Sequence, residues 1–146
     1  MATDKQPIID DHPSPSKKEK CEALFEEEWS RIYPNELVIT WYWFPTAQSK
    51  RIDTHQIKGI YYSKQTFCKA FGSVKGWGMS LSPCWWACDI KRCLRSNPEE
   101  NGFYNVVIDI GDGTMKGFTS ANVHAFLTVL RRQCNPGVIC QEGFPW

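Results

Sequence analysis

The feature that most constrains the fold is residues 106–133, where two kinds of hydrophobic spacing follow each other directly. Val106, Ile108 and Ile110 occupy every second position, which places their side chains on one face of a β-strand. Asp112-Gly113 follows, a dipeptide that tolerates the positive φ angles of a tight hairpin turn. We therefore predict a strand, a two-residue turn and a returning strand in this part of the chain.

The hairpin is followed by the pattern of an amphipathic helix. Apolar side chains recur three and four residues apart, at Val123, Phe126, Leu127 and Leu130. We predict a helix over residues 119–133, with the hydroxyl of Thr119 or Ser120 as its N-terminal cap and Asn135-Pro136-Gly137 as its stop. Because such a helix needs an apolar surface to cover, the preceding strands should supply one.

Length and composition fit a single globular domain. The chain has 146 residues, of which 42% are hydrophobic, which is enough to bury a core without disulfide or metal support. Seventeen basic residues against sixteen acidic ones give a net charge of +1, a balance that disfavours bulk nucleic acid as the partner. The sequence shows neither an apolar leader nor ~20 uninterrupted apolar residues. We therefore expect a soluble, intracellular, cytoplasmic protein whose seven cysteines are reduced and mostly buried.

The two ends of the chain differ from its middle. Residues 1–18 are polar and contain three prolines, so we expect a disordered tail. Residues 19–34 are predicted to form an amphipathic helix that Pro34 ends. The domain itself is predicted to span residues 35–134, followed by a C-terminal tail over residues 135–146. The apolar stripe of the N-terminal helix consists of Cys21, Leu24, Phe25, Trp29 and Ile32.

The middle of the chain is predicted to form short strands. Residues 36–45 are rich in β-branched and aromatic residues and have two bulky faces. We expect another element or a partner to cover the outer face of this strand. Further strands are predicted within residues 51–63, 67–74 and 79–92, with a bulge or tight bend at Gly76-Trp77-Gly78.

Two runs of this sequence hold a series of short motifs. The first run holds a Gly-Trp-Gly step and an aromatic-Ala-hydrophobic stretch. The second holds an Asp-Gly hairpin, a Gly-Phe-Thr step and a helix ending in Leu-Arg. The residues at these positions are Gly76, Trp77, Gly78, Trp86, Ala87, Asp112, Gly113, Gly117, Phe118 and Thr119. In the order and spacing of these motifs, roughly residues 37–133 resemble the bacterial-type pleckstrin-homology (PH-like) domains, whose Gly-aliphatic-Thr step corresponds to the Gly-Phe-Thr step here.

The resemblance implies a mainly β, α+β fold. In that fold a split antiparallel β-barrel of about seven strands is capped by the C-terminal helix, to which this chain adds the N-terminal helix. The independent pattern of many short strands followed by one amphipathic helix agrees with this expectation.

The cysteines and histidines are the candidate residues for metal binding or nucleophilic catalysis. Cys84, Cys88 and Cys93 lack the two tight pairs that a zinc site uses, and on a strand Cys84 and Cys88 would lie ~13 Å apart. No histidine is placed beside a thiol by the sequence, as a thiol enzyme would require. We predict no metal, no cofactor and no catalytic residue, and therefore not an enzyme.

The remaining interpretation is a non-enzymatic binding or adaptor module. Its expected partner is another protein or a second copy, with an acidic lipid headgroup at a peripheral anionic membrane surface as a further ligand. The alternative is a small nucleic-acid-binding protein that stacks bases on strand aromatics beside basic residues. The candidate protein-docking residues are Trp41, Tyr42, Trp43 and Phe44, and the candidate ligand-binding cations are Lys50, Arg51, Lys58, Lys91 and Arg92.

Overall fold

The computed structural model describes residues 21–65, 74–95 and 102–146. The predicted tail over residues 1–18 lies outside this described part, as does nearly all of the strand predicted over residues 67–74.

The described residues form ten strands, two short 3-10 helices and one α-helix. The 3-10 helices span Thr54–Gln56 and Ile90–Cys93, and the α-helix, α1, spans Val123–Gln133. The strands are β1 (Phe25–Glu26), β2 (Ser30–Tyr33), β3 (Glu36–Ile39), β4 (Lys50–Asp53), β5 (Gly59–Lys64), β6 (Gly78–Met79), β7 (Cys84–Trp86), β8 (Tyr104–Asp109), β9 (Met115–Ser120) and β10 (Ile139–Glu142).

The strands form two sheets. The first has the order β1-β2-β3-β4 and is antiparallel throughout, and the second has the order β10-β5-β8-β9-β7-β6. The expectation of a wholly antiparallel arrangement is wrong for two pairs, because β7 runs parallel to β9 and β10 runs parallel to β5. Both pairs join strands far apart in sequence, and a long crossover produces the parallel direction that a tight turn cannot. Among the described residues, no pairing joins the two sheets into a closed barrel.

The predicted N-terminal helix over residues 19–34 is wrong over the part that the structure describes. Residues 25–33 instead form the hairpin β1–β2, and β2 pairs with β3 so that Ser30 lies opposite Ile39. Trp29 and Ile32, which the helix prediction placed in its apolar stripe, are buried in the main hydrophobic core. Pairing with β3 provides hydrogen bonds for the backbone of this segment and buries the same side chains. These contacts with β3 therefore outweigh the local preference for a helix that the spacing indicated.

The predicted strand over residues 36–45 is shorter than expected. β3 ends at Ile39, and the chain then forms an irregular loop up to β4. Trp41 and Ala47 adopt φ angles of 55° and 60°, which are incompatible with a continuing strand. The expected alternation of two bulky faces therefore stops before the aromatic residues.

The hairpin and the helix predicted within residues 106–133 are both present. β8 and β9 pair in antiparallel fashion, with Val106 opposite Phe118, and residues 110–114 make a five-residue connection rather than a two-residue turn. The helix begins later than predicted, because Thr119 and Ser120 are buried in β9. Its N-terminal cap is Asn122, whose side chain accepts a hydrogen bond from the Ala125 amide at 3.4 Å.

The helix α1 seals the core between the two sheets. Phe126 contacts Phe118 of the second sheet and Phe25 of the first, with ring centroids 5.4 and 5.7 Å apart. Burial of apolar side chains of this size is worth about 1.5–3 kcal/mol each, so the stripe is a major contribution to stability. The predicted stripe is confirmed, because the buried residues of α1 are Val123, Phe126, Leu127 and Leu130.

The second sheet is covered on both faces, as its alternating residues show. Ile60 and Ile108 face the main core, whereas Tyr61 and Val107 join Cys84 and Trp86 in a smaller cluster on the opposite face. In the described part of the chain, no helix has the length and apolar character needed to cross a membrane.

Candidate functional site

The loop between β3 and β4, residues 40–49, carries large side chains outward. Trp41 is 54% exposed and Phe44 is 60% exposed, while Trp43 is also exposed to a lesser degree. Trp41 adopts φ 55°, a left-handed conformation that is sterically unfavourable for a bulky residue. An exposed tryptophan that requires unfavourable backbone is a feature found at binding sites more often than in ordinary loops.

The backbone of this loop is fixed by hydrogen bonds. The amides of Tyr42 and Trp43 both donate to the carbonyl of Gln48, at 3.2 and 3.0 Å. The carbonyl of Trp41 accepts from the amide of Cys88 at 2.7 Å, which ties the loop to the segment after β7. The exposed aromatic side chains are therefore presented from a defined conformation.

Tyr42 is the anchor of the loop. Its side chain is buried, so the predicted docking role does not fit this member of the set, and burial raises the pKa of its hydroxyl well above the ordinary value. Its carbonyl accepts two indole N–H groups, from Trp85 Nε1 at 2.8 Å and Trp77 Nε1 at 3.1 Å. One peptide group thereby orients two tryptophan rings.

The rings of Tyr42, Trp43 and Trp85 line an open cavity of about 380 Å³, which we call the aromatic pocket. Trp43 and Trp85 have ring centroids 5.7 Å apart, and Tyr42 lies 4.9 Å from Trp43 in an edge-to-face arrangement. Met79 of β6 lines one side of the pocket and lies opposite Trp85 in the β6–β7 pairing. The lining residues are Tyr42, Trp43, Lys50, Met79, Trp85, Asp112, Thr114 and Lys116.

The pocket contains two ammonium groups and one carboxylate. Lys116 is only 2% exposed, and its Nζ lies 2.5 and 2.6 Å from the two carboxylate oxygens of Asp112 and also donates to the carbonyl of Thr114. Partial burial raises the pKa of Asp112, but hydrogen bonds from Lys116 and from the Thr114 amide outweigh it and lower the pKa. Lys50 Nζ lies 5.4 Å from the ring centroid of Trp43.

A buried polar network lies elsewhere, between the segment after β7 and strand β9. The guanidinium of Arg95 donates to the Asp89 carboxylate at 2.7 and 3.2 Å and to Gln65 Oε1 at 2.6 Å. The Thr119 hydroxyl donates to Asp89 at 2.5 Å. Burial raises the pKa of Asp89, yet these bonds and the charges of Arg92 and Arg95 outweigh it and lower the pKa below the ordinary value.

Arg92, a predicted ligand-binding cation, belongs to this network. It is 1% exposed and donates to the carbonyls of Lys75 and Ala87 at 2.6 and 3.0 Å and to Thr119 Oγ1 at 3.2 Å. Its guanidinium also lies over the ring of Trp86, 4.8 Å from the centroid. The prediction of ligand binding by Arg92 is therefore wrong: its hydrogen bonds are directed into the protein and hold the segment after β7 on the second sheet.

The other predicted cations are not gathered around one site. Lys50 lines the aromatic pocket, whereas Arg51 is exposed and pairs with Glu36 at 2.5 Å. Lys58 precedes β5, and Lys91 lies in the second 3-10 helix. Of the predicted docking residues, Trp41, Trp43 and Phe44 are exposed, while Tyr42 is not.

Lys116 and Trp85 are residues of the pocket that the sequence did not assign to a site. They face each other in the register of the parallel pair β7–β9. Lys116 lies two positions before buried Phe118, so both side chains belong to the same, inward face of β9. A lysine on the apolar face of a strand is therefore a signal in the sequence that could have identified this residue. The parallel pairing that joins it to Trp85 was not predictable from local spacing.

Burial raises the pKa of four thiols, those of Cys84, Cys88, Cys134 and Cys140. Burial raises the pKa of Cys84 to about 12, although Arg92 and Lys116 act in the opposite direction. Burial, together with the nearby Cys140, raises the pKa of Cys134 to about 11. Within the described residues, no group of three or more His, Cys, Asp or Glu side chains is placed to hold a metal ion.

No family model, curated protein or solved structure matches this chain. The similarity to PH-like domains therefore stays a prediction from the sequence motifs.

Proposed function

We propose that this chain is a non-enzymatic binding module that engages a protein partner through an exposed aromatic surface formed by Trp41, Trp43 and Phe44. The observation that carries the proposal is the combination at Trp41, which is 54% exposed and held at φ 55° by a hydrogen-bonded loop. Aromatic residues on a fixed backbone lose little conformational freedom on binding, which is why tryptophan is enriched among residues that dominate interface energies.

The neighbouring hairpin extends this surface. Phe44 contacts Trp77, the residue before β6, with ring centroids 5.0 Å apart. Met79 in β6 and Leu81 in the β6–β7 turn are both exposed, Leu81 to 88%. A cluster of large apolar side chains at the surface is typical of a docking site rather than of an inert face.

Two features favour a protein over a phosphorylated headgroup or a nucleic acid. Phosphate recognition needs several converging cations, whereas Arg92 is buried and Arg51 is paired with Glu36. Base stacking needs open ring faces, whereas the ring of Trp43 already has Lys50 above it and Trp85 is partly buried.

We also propose that the fold is a divergent member of the PH-like group. The support is the order of its last elements, in which the hairpin β8–β9 leads directly into a helix that covers the core. The parallel strand β10 and the open arrangement of two sheets are the features by which this chain would differ from that group.

The proposal is tested with the full chain and one matched pair of variants. Trp41→Ala removes an exposed aromatic from the proposed surface, while Trp146→Ala removes one of comparable exposure that stacks on Phe144 instead. A partner captured from the native cell is purified, and its affinity is measured for the wild type and both variants. We expect Trp41→Ala to weaken binding about tenfold or more, as for central interface residues, and Trp146→Ala to leave it unchanged.

The proposal fails if every purified partner binds Trp41→Ala as tightly as it binds the wild type. It also fails if the wild-type chain sediments with anionic phospholipid vesicles in a manner that Trp41→Ala does not alter, while no protein binds.

A further inference from the structure

We infer that the aromatic pocket receives an acidic, extended peptide segment of the protein partner. One apolar residue of that peptide enters the pocket and packs against the rings of Trp43 and Trp85, and a neighbouring carboxylate pairs with Lys50. The inference rests on the proposed function, because the pocket shares Trp43 with the exposed aromatic surface.

The size of the pocket sets the kind of occupant. A volume of about 380 Å³ is near the lower end of the roughly 300–1,000 Å³ typical of ligand sites, so it suits one or two side chains. Trp43 lines the pocket and is also exposed beside Phe44. An extended peptide can fill the pocket with one residue and continue across Phe44, which a small molecule confined to the pocket cannot do.

The charges of the pocket select against a basic peptide. Aromatic walls attract cations in general, but Lys50 already lies over the ring of Trp43 and Lys116 is fixed beneath the pocket. A further ammonium group would be repelled by Lys50. A carboxylate, in contrast, would find an ammonium partner in partly apolar surroundings, where the attraction is stronger than in water.

The two lysines are not equivalent, and this difference orients the ligand. Both oxygens of Asp112 contact the ammonium of Lys116, so this lysine is neutralised within the protein. Lys50, on β4, is the lining cation that remains for the peptide, because the Asp112 carboxylate is paired with Lys116. The peptide carboxylate is therefore directed to the Lys50 end of the pocket.

The experiment uses a random-sequence peptide library displayed on phage, selected against the full-length chain. The selected peptides are synthesised and titrated against four proteins: the wild type, Trp43→Ala, Lys50→Glu and the control Lys91→Glu. Lys91→Glu makes the same charge reversal on an exposed lysine that does not line the pocket. Changes in tryptophan fluorescence report occupancy, because Trp43 and Trp85 line the pocket.

The selected peptides should combine acidic residues with an apolar or proline residue. Lys50→Glu should weaken them at least about tenfold, Trp43→Ala should abolish the fluorescence change, and Lys91→Glu should bind like the wild type. Binding should also weaken as salt increases.

If the peptides depend on Trp43 but are neutral or basic, or bind Lys50→Glu unchanged, the acidic-peptide inference fails and the proposed function stands. If no peptide selected by the wild type is weakened by Trp43→Ala, the pocket is not the site; the proposed function is then decided by the Trp41→Ala affinities.

Discussion

Replacing Asp89 by asparagine should be among the most destabilising single changes in this protein. The Asp89 carboxylate accepts two hydrogen bonds from Arg95 and one from Thr119, and its side chain is almost completely buried. An asparagine side chain at this position would retain one acceptor oxygen and turn an NH2 group toward these donors, while two guanidinium groups stay buried without a full counter-charge. Breaking a buried ion pair from one side costs about 3–5 kcal/mol.

The magnitude can be measured by urea unfolding followed by tryptophan fluorescence. A loss of about 4 kcal/mol with a slope of about 2 kcal/mol per molar urea lowers the midpoint by roughly 2 M. The matched control is Glu36→Gln, which breaks the pair with Arg51 at the surface, where the two side chains are 37% and 70% exposed. This change should cost no more than about 1 kcal/mol. Adding Arg95→Gln to Asp89→Asn should cost less than the sum of the two single changes, because the two residues contact each other.

The same variant has a pH signature. Because the pKa of Asp89 is lower in the folded state than in the unfolded state, its stabilisation is present above the unfolded value of about 3.9 and is lost as the pH falls toward the folded value. The difference in unfolding free energy between the wild type and Asp89→Asn should therefore shrink below about pH 4. A difference under about 1 kcal/mol at neutral pH, equal to that of Glu36→Gln, would refute the assignment of this network as a stabilising feature.

Three further changes test other parts of the fold. Gly117→Ala should lower the free energy of unfolding by about 1–3 kcal/mol in urea, because a Cβ at this position would clash with a ring carbon of fully buried Trp86. The double variant Gly117→Ala, Trp86→Leu should lose less stability than the sum of the two single variants. Strictly additive losses would contradict the clash. Ala47→Gly should raise the free energy of unfolding by about 0.5 kcal/mol, since φ 60° is unfavourable for alanine, and a loss of stability would count against this loop conformation. Burial raises the pKa of Glu27 although hydrogen bonds, including those from the Ala121 amide, oppose it. The stability of the wild type relative to Glu27→Gln should therefore increase as the pH falls from neutral through the folded pKa of Glu27, and a constant difference over that range would exclude the shift.

The sequence determined the elements whose information is local. The stripe of α1 follows from spacings of three and four residues, and the strand β8 follows from alternation, because each pattern presents one face whatever it packs against. The N-terminal cap of α1 was not determined in this way. Thr119 and Ser120 carry hydroxyls suited to capping, but both residues belong to β9 and pair with β8. Here the long-range pairing outweighed the local preference.

The candidate surface was foreseen in its aromatic residues but not in its form. The run of aromatic residues indicated a docking role for both bulky faces of the predicted strand, so Tyr42 and Phe44 of one face were included with Trp41 and Trp43 of the other. The left-handed backbone at Trp41 breaks the strand, and in the loop that follows Tyr42 is buried as the anchor while Trp41, Trp43 and Phe44 are all exposed. Nothing in the spacing of these residues encodes that break.

What only the tertiary structure decided is which distant segments meet. The aromatic pocket joins the loop before β4, the hairpin β6–β7 and the start of β9, and a parallel pairing places Trp85 beside Lys116. The same assembly buried Arg92 and left Lys50 at the pocket, although the sequence gives both the same charge. Periodicity reports which side of a strand or helix is apolar, because that is a property of neighbouring residues. The partner of that side, and the accessibility of each charge, depend on packing between residues far apart in the chain.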